Sequence, residues 1–366
     1  MGRAERRAQR PLKTARSARS GHRSGHSGDL RGVQTCEYDH ATRNHRRATV
    51  LARRSLVAPG LGVTALTAWS GARRNGESSA EAANDGINLQ IIPYGSTAPE
   101  TLISTYKTDF GISYQDGLTE AAVSGGDIVS VFAITQKTDV VIGVRADSDI
   151  TKLTQLDGKT YAGYGGPMEV PMLQYVIRAA GGTGEFKDVT LNTDAYQALY
   201  AGQADFAMPE PTWEVLQAAL VGKPLRTFDV TAYGFPAIYS VIIASSNRYL
   251  QHNGDIARHF LAAVEEGYAY ATAHPTEAAN LLIQANEAVL GTQVELVMES
   301  AKLEAGQYYK DSAGQIGYQS AQRWQALTDF MFKNGILTDA AGKPIKTEPK
   351  VSSLFTNAYL PTSVTA

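Results

Sequence analysis

The chain has 366 residues, 43% of them hydrophobic, enough to bury more than one core and to fit two globular domains. Its formal charge of −2 is unevenly divided: residues 1–75 hold 16 basic side chains against 4 acidic, and the remainder holds 18 against 32, a net −14 before histidine. An acidic globular part repels phosphate polyanions, which argues against nucleic acid or an anionic membrane as its partner.

Residues 1–45 are rich in Arg, Ser, Gly and His without apolar periodicity and are expected to be a disordered extension, because such a segment cannot offset its ordering entropy by burial. Residues 46–70 follow the basic, apolar, small-residue order of an export signal, with an apolar run from Leu56 to Trp69 too short to span a bilayer. The adjacent Arg53 and Arg54 fit twin-arginine export, although Leu56 alone supports the apolar part of that motif. Leu66-Thr67-Ala68-Trp69-Ser70-Gly71 has the look of a lipoprotein cleavage box in which Trp69 stands where the lipid-bearing cysteine belongs, so no thioether anchor is expected. The sole cysteine is Cys36, which leaves the globular part without a disulfide framework, a thiolate metal site or a thiol nucleophile. Residues 71–86 read as a linker.

The folded part then repeats itself. Residues 88–113 run strand, helix, strand and end in Asp109-Phe110; residues 188–208 follow the same plan and end in Asp205-Phe206, 96 positions later. Two units of one design predict an α/β protein of two lobes with a ligand cleft beyond the carboxyl ends of the strands. Further strands are expected at 128–134 and 139–144, a crossing to the second lobe near 145–150, and a return crossing in the β-rich run 238–244. Helices are expected after Pro167, over 213–220, and over 255–273, 276–284, 293–308 and 319–334. The resulting division puts 87–145 and 237–366 in lobe 1 and 146–236 in lobe 2, with closure of the two about a hinge as the natural motion.

Residues just beyond the predicted strands form the candidate ligand site: Tyr114, Gln115, Tyr164, Gly166, Glu169, Glu210, Trp213, Glu214 and Tyr233. The set is aromatic and acidic and contains no Arg or Lys. A sulfonate, nitrate or phosphate would need cationic donors or a bare helix N-terminus, whereas carboxylates beside flat aromatic faces suit a planar, nitrogen-rich ring. Each residue also has a structural reading: Glu169 fits a helix cap as well as a ligand contact, Trp213 fits packing as well as stacking, and Gly163 to Gly166 fit a tight turn better than a phosphate loop. The histidines beyond residue 75 are His252, His259 and His274, all in predicted helices or at their ends, and no Ser/His/Asp order or paired metal ligands stands out. No catalytic activity, cofactor or metal is therefore expected.

Asp109-Phe110-Gly111-Ile112-Ser113-Tyr114-Gln115, Leu156-Asp157-Gly158-Lys159-Thr160, Gly202-Gln203-Ala204-Asp205-Phe206, Trp213-Glu214, Tyr233-Gly234-Phe235-Pro236 and His274-Pro275-Thr276-Glu277-Ala278-Ala279 occur in that order. The run resembles the periplasmic solute-binding proteins of ABC importers in the nitrate, sulfonate, taurine and thiamine-pyrimidine group, over roughly residues 86–361. The resemblance implies a type II periplasmic-binding-protein fold with hinged lobes, a monomer that delivers a small molecule to a membrane permease. It points most closely to the branch for aminopyrimidine precursors of thiamine, in which the ring is held by aromatics and a carboxylate; these map to Tyr114, Trp213 and Glu214, with Glu169 less securely placed. A sulfonate- or nitrate-type binding protein is one alternative. Another is an enzyme of the same fold like the fungal pyrimidine synthases, which consume PLP and a histidine and whose cysteine-rich motif this chain lacks. Two departures accompany the resemblance: the family's opening strand-helix unit, with its Asp-Trp-Thr-Pro-Asn-like stretch, is missing before Gly86, and Tyr106 stands in the slot matching Gly202, where a left-handed helix stop costs a non-glycine residue roughly 1–2 kcal/mol.

Overall fold

The computed structural model describes residues 46–52, 81–82, 87–93 and 97–361. The extension at 1–45, the signal from residue 53 onward with Trp69, and the linker apart from 81–82 lie outside them. Strands β1 (Arg46–Ala52), β2 (Glu81–Ala82), β3 (Ile87–Pro93), β4 (Phe110–Ser113) and β5 (Val129–Ala133) belong to a first sheet. Strands β6 (Val141–Arg145), β7 (Thr160–Gly163), β8 (Lys187–Thr190), β9 (Phe206–Ala207) and β10 (Leu225–Asp229) form a second, and β11 (Ile242–Ser245) returns to the first. The orders are β2-β3-β1-β4-β11-β5 and β10-β6-β9-β7-β8. In each sheet parallel pairing from strand-helix-strand units meets antiparallel pairing from a crossing strand: β11 runs against β4 and β5, and β6 runs against β9 and β10.

The repeat is real in three dimensions. Helix Pro99–Ser104 joins β3 to β4 as helix Ala195–Tyr200 joins β8 to β9, and Ile103 and Leu199, equivalent by the 96-residue offset, are both fully buried. Equivalence extends to the helix stops, where Tyr106 has φ 59° and Gly202 has φ 71°. The left-handed stop expected at Tyr106 is thus present, and its exposed ring carries Arg248 at 4.7 Å from the centroid.

Two features differ from the sequence reading. Strand β6 was assigned to lobe 1, but it pairs with β9 and β10 and buries Ile142 and Val144 in the second core, so the sheet change falls before residue 141. Its own side chains decide this: alternate apolar residues need the second core's Phe206, Met172 and Val176 to cover them. Residues 46–52, read as the head of the export signal, form β1, parallel to β3 over seven pairs and to β4 over two. That strand lies between β3 and β4 in the sheet.

The first core gathers Phe110, Phe132, Phe260 and Tyr268, with Phe110 stacked on Phe260 at 4.3 Å. The C-terminal helices do more than cover the first sheet. Helix Ala321–Lys333 buries Trp324 against Ile103, Leu118 and Tyr239, and two turns on buries Leu327, Phe330 and Met331 in the second core. Beside it the two crossings run together: Thr138 Oγ1 accepts from the Ile238 amide at 2.8 Å and Thr135 Oγ1 from the Val241 amide at 3.0 Å. This pair of tethers sets the sheets on either side of a cleft.

At Gly202 a Cβ would run into the Arg145 guanidinium, which pairs with Asp147 at 3.1 Å, and the backbone there is left-handed. Gly202→Ala should therefore lower the unfolding free energy by about 1–2 kcal/mol, read as a reduced midpoint at unchanged slope in a denaturant titration.

Candidate functional site

Between the sheets lies a cavity of about 290 Å³. The first-lobe wall is Glu100 from helix Pro99–Ser104, Tyr114 beyond β4, and Asp116, Gly117 and Glu120 from helix Gln115–Val123. The floor is the crossings, through Asp139, Val140, Ile238 and Ser240. The second-lobe wall includes Tyr161, Tyr164, Gly166, Glu169, Tyr196 and Glu210. Six carboxyl groups and four tyrosines line it, and the lining contains no Lys, Arg or His.

The glycine-rich turn after β7 owes its shape to Glu169. One carboxylate oxygen accepts from the Tyr161 hydroxyl at 2.7 Å and the Tyr164 amide at 3.0 Å, and the other accepts from the Gly166 amide at 2.7 Å. Gly165, at φ 105°, brings the chain so close to Thr190 that a Cβ would lie 2.8 Å from its methyl. Glu169 therefore caps the turn and also faces the cleft. After β9 the chain enters a π-helical turn, Pro211–Val215, and the Glu214 carboxylate accepts from the amide of Glu210, the residue before the turn, at 3.0 Å. The Tyr200 hydroxyl donates to the Glu214 carbonyl at 2.8 Å.

Of the sequence-predicted residues, the fold brings Tyr114, Tyr164, Gly166, Glu169 and Glu210 together on the cavity wall. Four do not reach it. Gln115 is fully buried, its side-chain oxygen accepting from the Tyr239 amide at 2.8 Å and its amide aimed at the Arg323 carbonyl, because it opens a helix rather than ending a strand. Trp213, 5% exposed, packs among Ala279, Leu282, Leu290, Leu296, Val297 and Ala301 of the C-terminal helices; the π-helical turn rotates it away from the cleft. Glu214 lies buried behind Glu210, and Tyr233 is half-buried against the second core.

The wall residues that sequence reasoning missed are Glu100, Glu120, Asp139, Tyr161 and Tyr196. The repeat carried the signal for two of them. Adding 96 takes Tyr114 to Glu210 and Glu100 to Tyr196, so each equivalent pair sets one acid and one tyrosine on opposite walls.

Burial raises Glu120, Asp139 and Glu214. Glu120 is pushed up to about 7, first by burial and then by Asp116 and Glu100. Burial pushes Asp139 up to about 6, and Glu214 to about 7 with Asp139 adding repulsion. Burial also raises the Tyr196 phenol, with Glu214 and Glu210 next in effect, so it stays a neutral hydrogen-bond donor, directed at the Met208 carbonyl at 3.3 Å. Behind the floor, Glu304 is buried and pushed up to about 8; it accepts from the Tyr309 hydroxyl. Among the described residues no group of three or more His, Cys, Asp or Glu is placed to hold a metal ion, and no helix is long and apolar enough to cross a membrane. The walls offer hydrogen-bond acceptors and flat faces to a ligand, and no positive charge.

Comparison with known proteins agrees with this architecture. A model of the family described as NMT1/THI5 like matches residues 83–278. The chain is 23% identical over 279 residues to the formylaminopyrimidine-binding protein of Halalkalibacterium halodurans, covering 74% of this chain and 82% of that one. It is 24% identical over 263 residues to a putative thiamine biosynthesis protein of Haemophilus influenzae, covering 70% and 80%. Among solved structures, the alkanesulfonate-binding protein SsuA from Xanthomonas axonopodis pv. citri, bound to MOPS, superposes with a TM-score of 0.59 at 15% identity, over 81% of this chain and 96% of that one. The shared fold is that of the periplasmic binding proteins.

Glu304 holds a proton in the folded chain that the unfolded chain releases near the ordinary glutamate value of 4.5. Its contribution to stability is thus full below about pH 4.5 and lost as pH rises toward about 8. Thermal unfolding of Glu304→Gln should show a flatter decline between pH 5 and pH 9 than the unaltered chain, with the larger gain at pH 9; parallel curves would contradict the assignment.

Proposed function

Because the chain belongs to the NMT1/THI5-like family, whose model covers more than half of it, we propose that it is an extracytoplasmic solute-binding protein that captures a small planar N-heterocycle, an aminopyrimidine of the thiamine-precursor kind, and passes it to the permease of an ABC importer. The observation that carries the ligand class is the lining itself: six carboxyls, four tyrosines and no cationic side chain. A sulfonate would bring a full negative charge into that wall with nothing to pair it. An aminopyrimidine brings amino donors and a π-face, and its ring nitrogen gains basicity beside a carboxylate. The two curated relatives, one named for formylaminopyrimidine and one for thiamine biosynthesis, support the same class.

In this reading Glu210 and Glu169 accept from the ligand's amino edge, and Tyr114, Tyr164 and Tyr196 supply faces and hydroxyls around the ring. A hydrogen bond to a charged group contributes about 1.5–3 kcal/mol and an aromatic stack about 1–3 kcal/mol. One bond and two stacks support affinity on the order of micromolar after association costs. Trp213 contributes through packing, where it fastens the C-terminal helices to the second lobe. Lobes divided as 87–140 with 237–361 on one side and 141–236 on the other would close about the paired crossings.

Calorimetric titration tests this directly, and suits the protein better than tryptophan emission, since Trp213 and Trp324 are both buried away from the cavity lining. The expected result is heat with 4-amino-2-methylpyrimidine and none with ethanesulfonate, and about tenfold weaker pyrimidine binding in Tyr196→Ala, toward the lower end of a lost stack. Heat with the sulfonate alone would overturn the proposal.

A further inference from the structure

On the first-lobe wall, helix Gln115–Val123 points Asp116 and Glu120, one turn apart, toward the same cavity that Glu169 and Glu210 face from the other side. One Glu120 carboxyl oxygen is buried and has no hydrogen-bond partner among the described residues. Its surroundings explain why. On its own helix the facing group is Asp116, and on helix Pro99–Ser104 it is Glu100, whose carboxylate is engaged by the Ser113 hydroxyl. Strand β5, packed behind, carries no charged residue. Helix Ala321–Lys333 also packs there, but its Arg323 is committed elsewhere, with Nη1 donating to the Gln136 carbonyl at 2.6 Å and the guanidinium 4.4 Å from the Tyr239 centroid. Lys333 pairs with Asp329 at 2.8 Å. Across the cavity stand Asp139, Glu169 and Glu210, acids again. Among the described residues no cationic group faces Glu120.

We propose that Glu120 is a specificity determinant of the cleft, selecting ligands that present a second hydrogen-bond donor, above all a positively charged one, to the first lobe while the ring's amino edge meets the second. This rests on the aminopyrimidine reading and deepens it: the preferred ligand has donors at two ends, and a ring carrying an anionic arm is rejected. Because burial and neighbouring acids hold Glu120 near neutrality, at about 7, a cationic arm must draw it into the ionised form. Binding of such a ligand then releases a proton and strengthens as pH rises from 6 to 8, about tenfold for one group titrating between those limits.

The test compares 4-amino-2-methylpyrimidine bearing a 5-aminomethyl group, an ammonium at neutral pH, with its 5-methyl analogue, titrated calorimetrically at pH 6, 7 and 8 against the unaltered chain, Glu120→Gln and Glu120→Asp. The unaltered chain should prefer the aminomethyl probe about tenfold at pH 8, with affinity rising over the pH range. Glu120→Gln should lose most of both the preference and the slope, and Glu120→Asp should regain part of them, the preference being read as the ratio of the two probes' affinities within each protein. A chain that binds both probes equally, or a Glu120→Gln variant that keeps preference and slope, overturns this inference alone. Binding of neither probe overturns the reading of the cleft and the inference with it. Should Glu120→Gln fail to fold, the preference and slope of the unaltered chain still decide.

Discussion

Carboxyl groups gathered in a partly buried cavity with no cation among them are the constraint on which the rest of this structure turns. Desolvation and mutual repulsion both oppose ionisation there, and the fold answers in two ways. Where an acid has a structural duty, backbone amides and a phenol meet it, as at Glu169 with Tyr161, Tyr164 and Gly166. Where burial prevails it raises the group, Glu120 to about 7 with Asp116 and Glu100 adding repulsion, and Asp139 to about 6 despite hydrogen bonds from Ser240 and its own backbone. Glu169 thus both holds a turn and lines the cavity.

The scaffold that brings these walls together is narrow at its centre and braced from outside. Two adjacent crossings, bonded through Thr135 and Thr138, form the floor. Helix Ala321–Lys333 spans both cores, with Trp324 in one and Phe330 and Met331 in the other. A second brace runs from Trp213 into the helices at 275–307. Any opening of the cleft has to bend the crossings while these helix contacts slide or hold, and Glu304, buried beside Tyr309 behind the floor, lies where such movement would be felt.

Much of this was legible in the residues, and the parts that were not have physical causes. The repeated Asp-Phe endings marked β4 and β9 and hence the two walls, and Tyr114 and Glu210 follow from standing just past them. Glycine spacing around Gly165 marked the turn that Glu169 holds. For Trp213 the sequence left packing and stacking open, and the side chain packs among the C-terminal helices, contacts made by segments far along the chain and outside any local pattern. Gln115 sits next to a true wall residue, but the first turn of its helix aims it inward to the Tyr239 amide. Strand β10 went unseen because Leu225–Asp229 is an edge strand with no fully buried residue, so it shows little apolar alternation. Glu120 and Asp139 depend on contacts between distant segments, which no local pattern encodes.

The most direct test of the account is a crystal structure of the chain with an aminopyrimidine bound. The account predicts the ring between the two lobes, with Tyr114 and Tyr196 against it and its exocyclic amine within hydrogen-bond distance of the Glu210 or Glu169 carboxylate. A ring seated outside this cavity, or one held there by contacts that leave every carboxylate of the lining untouched, would contradict it.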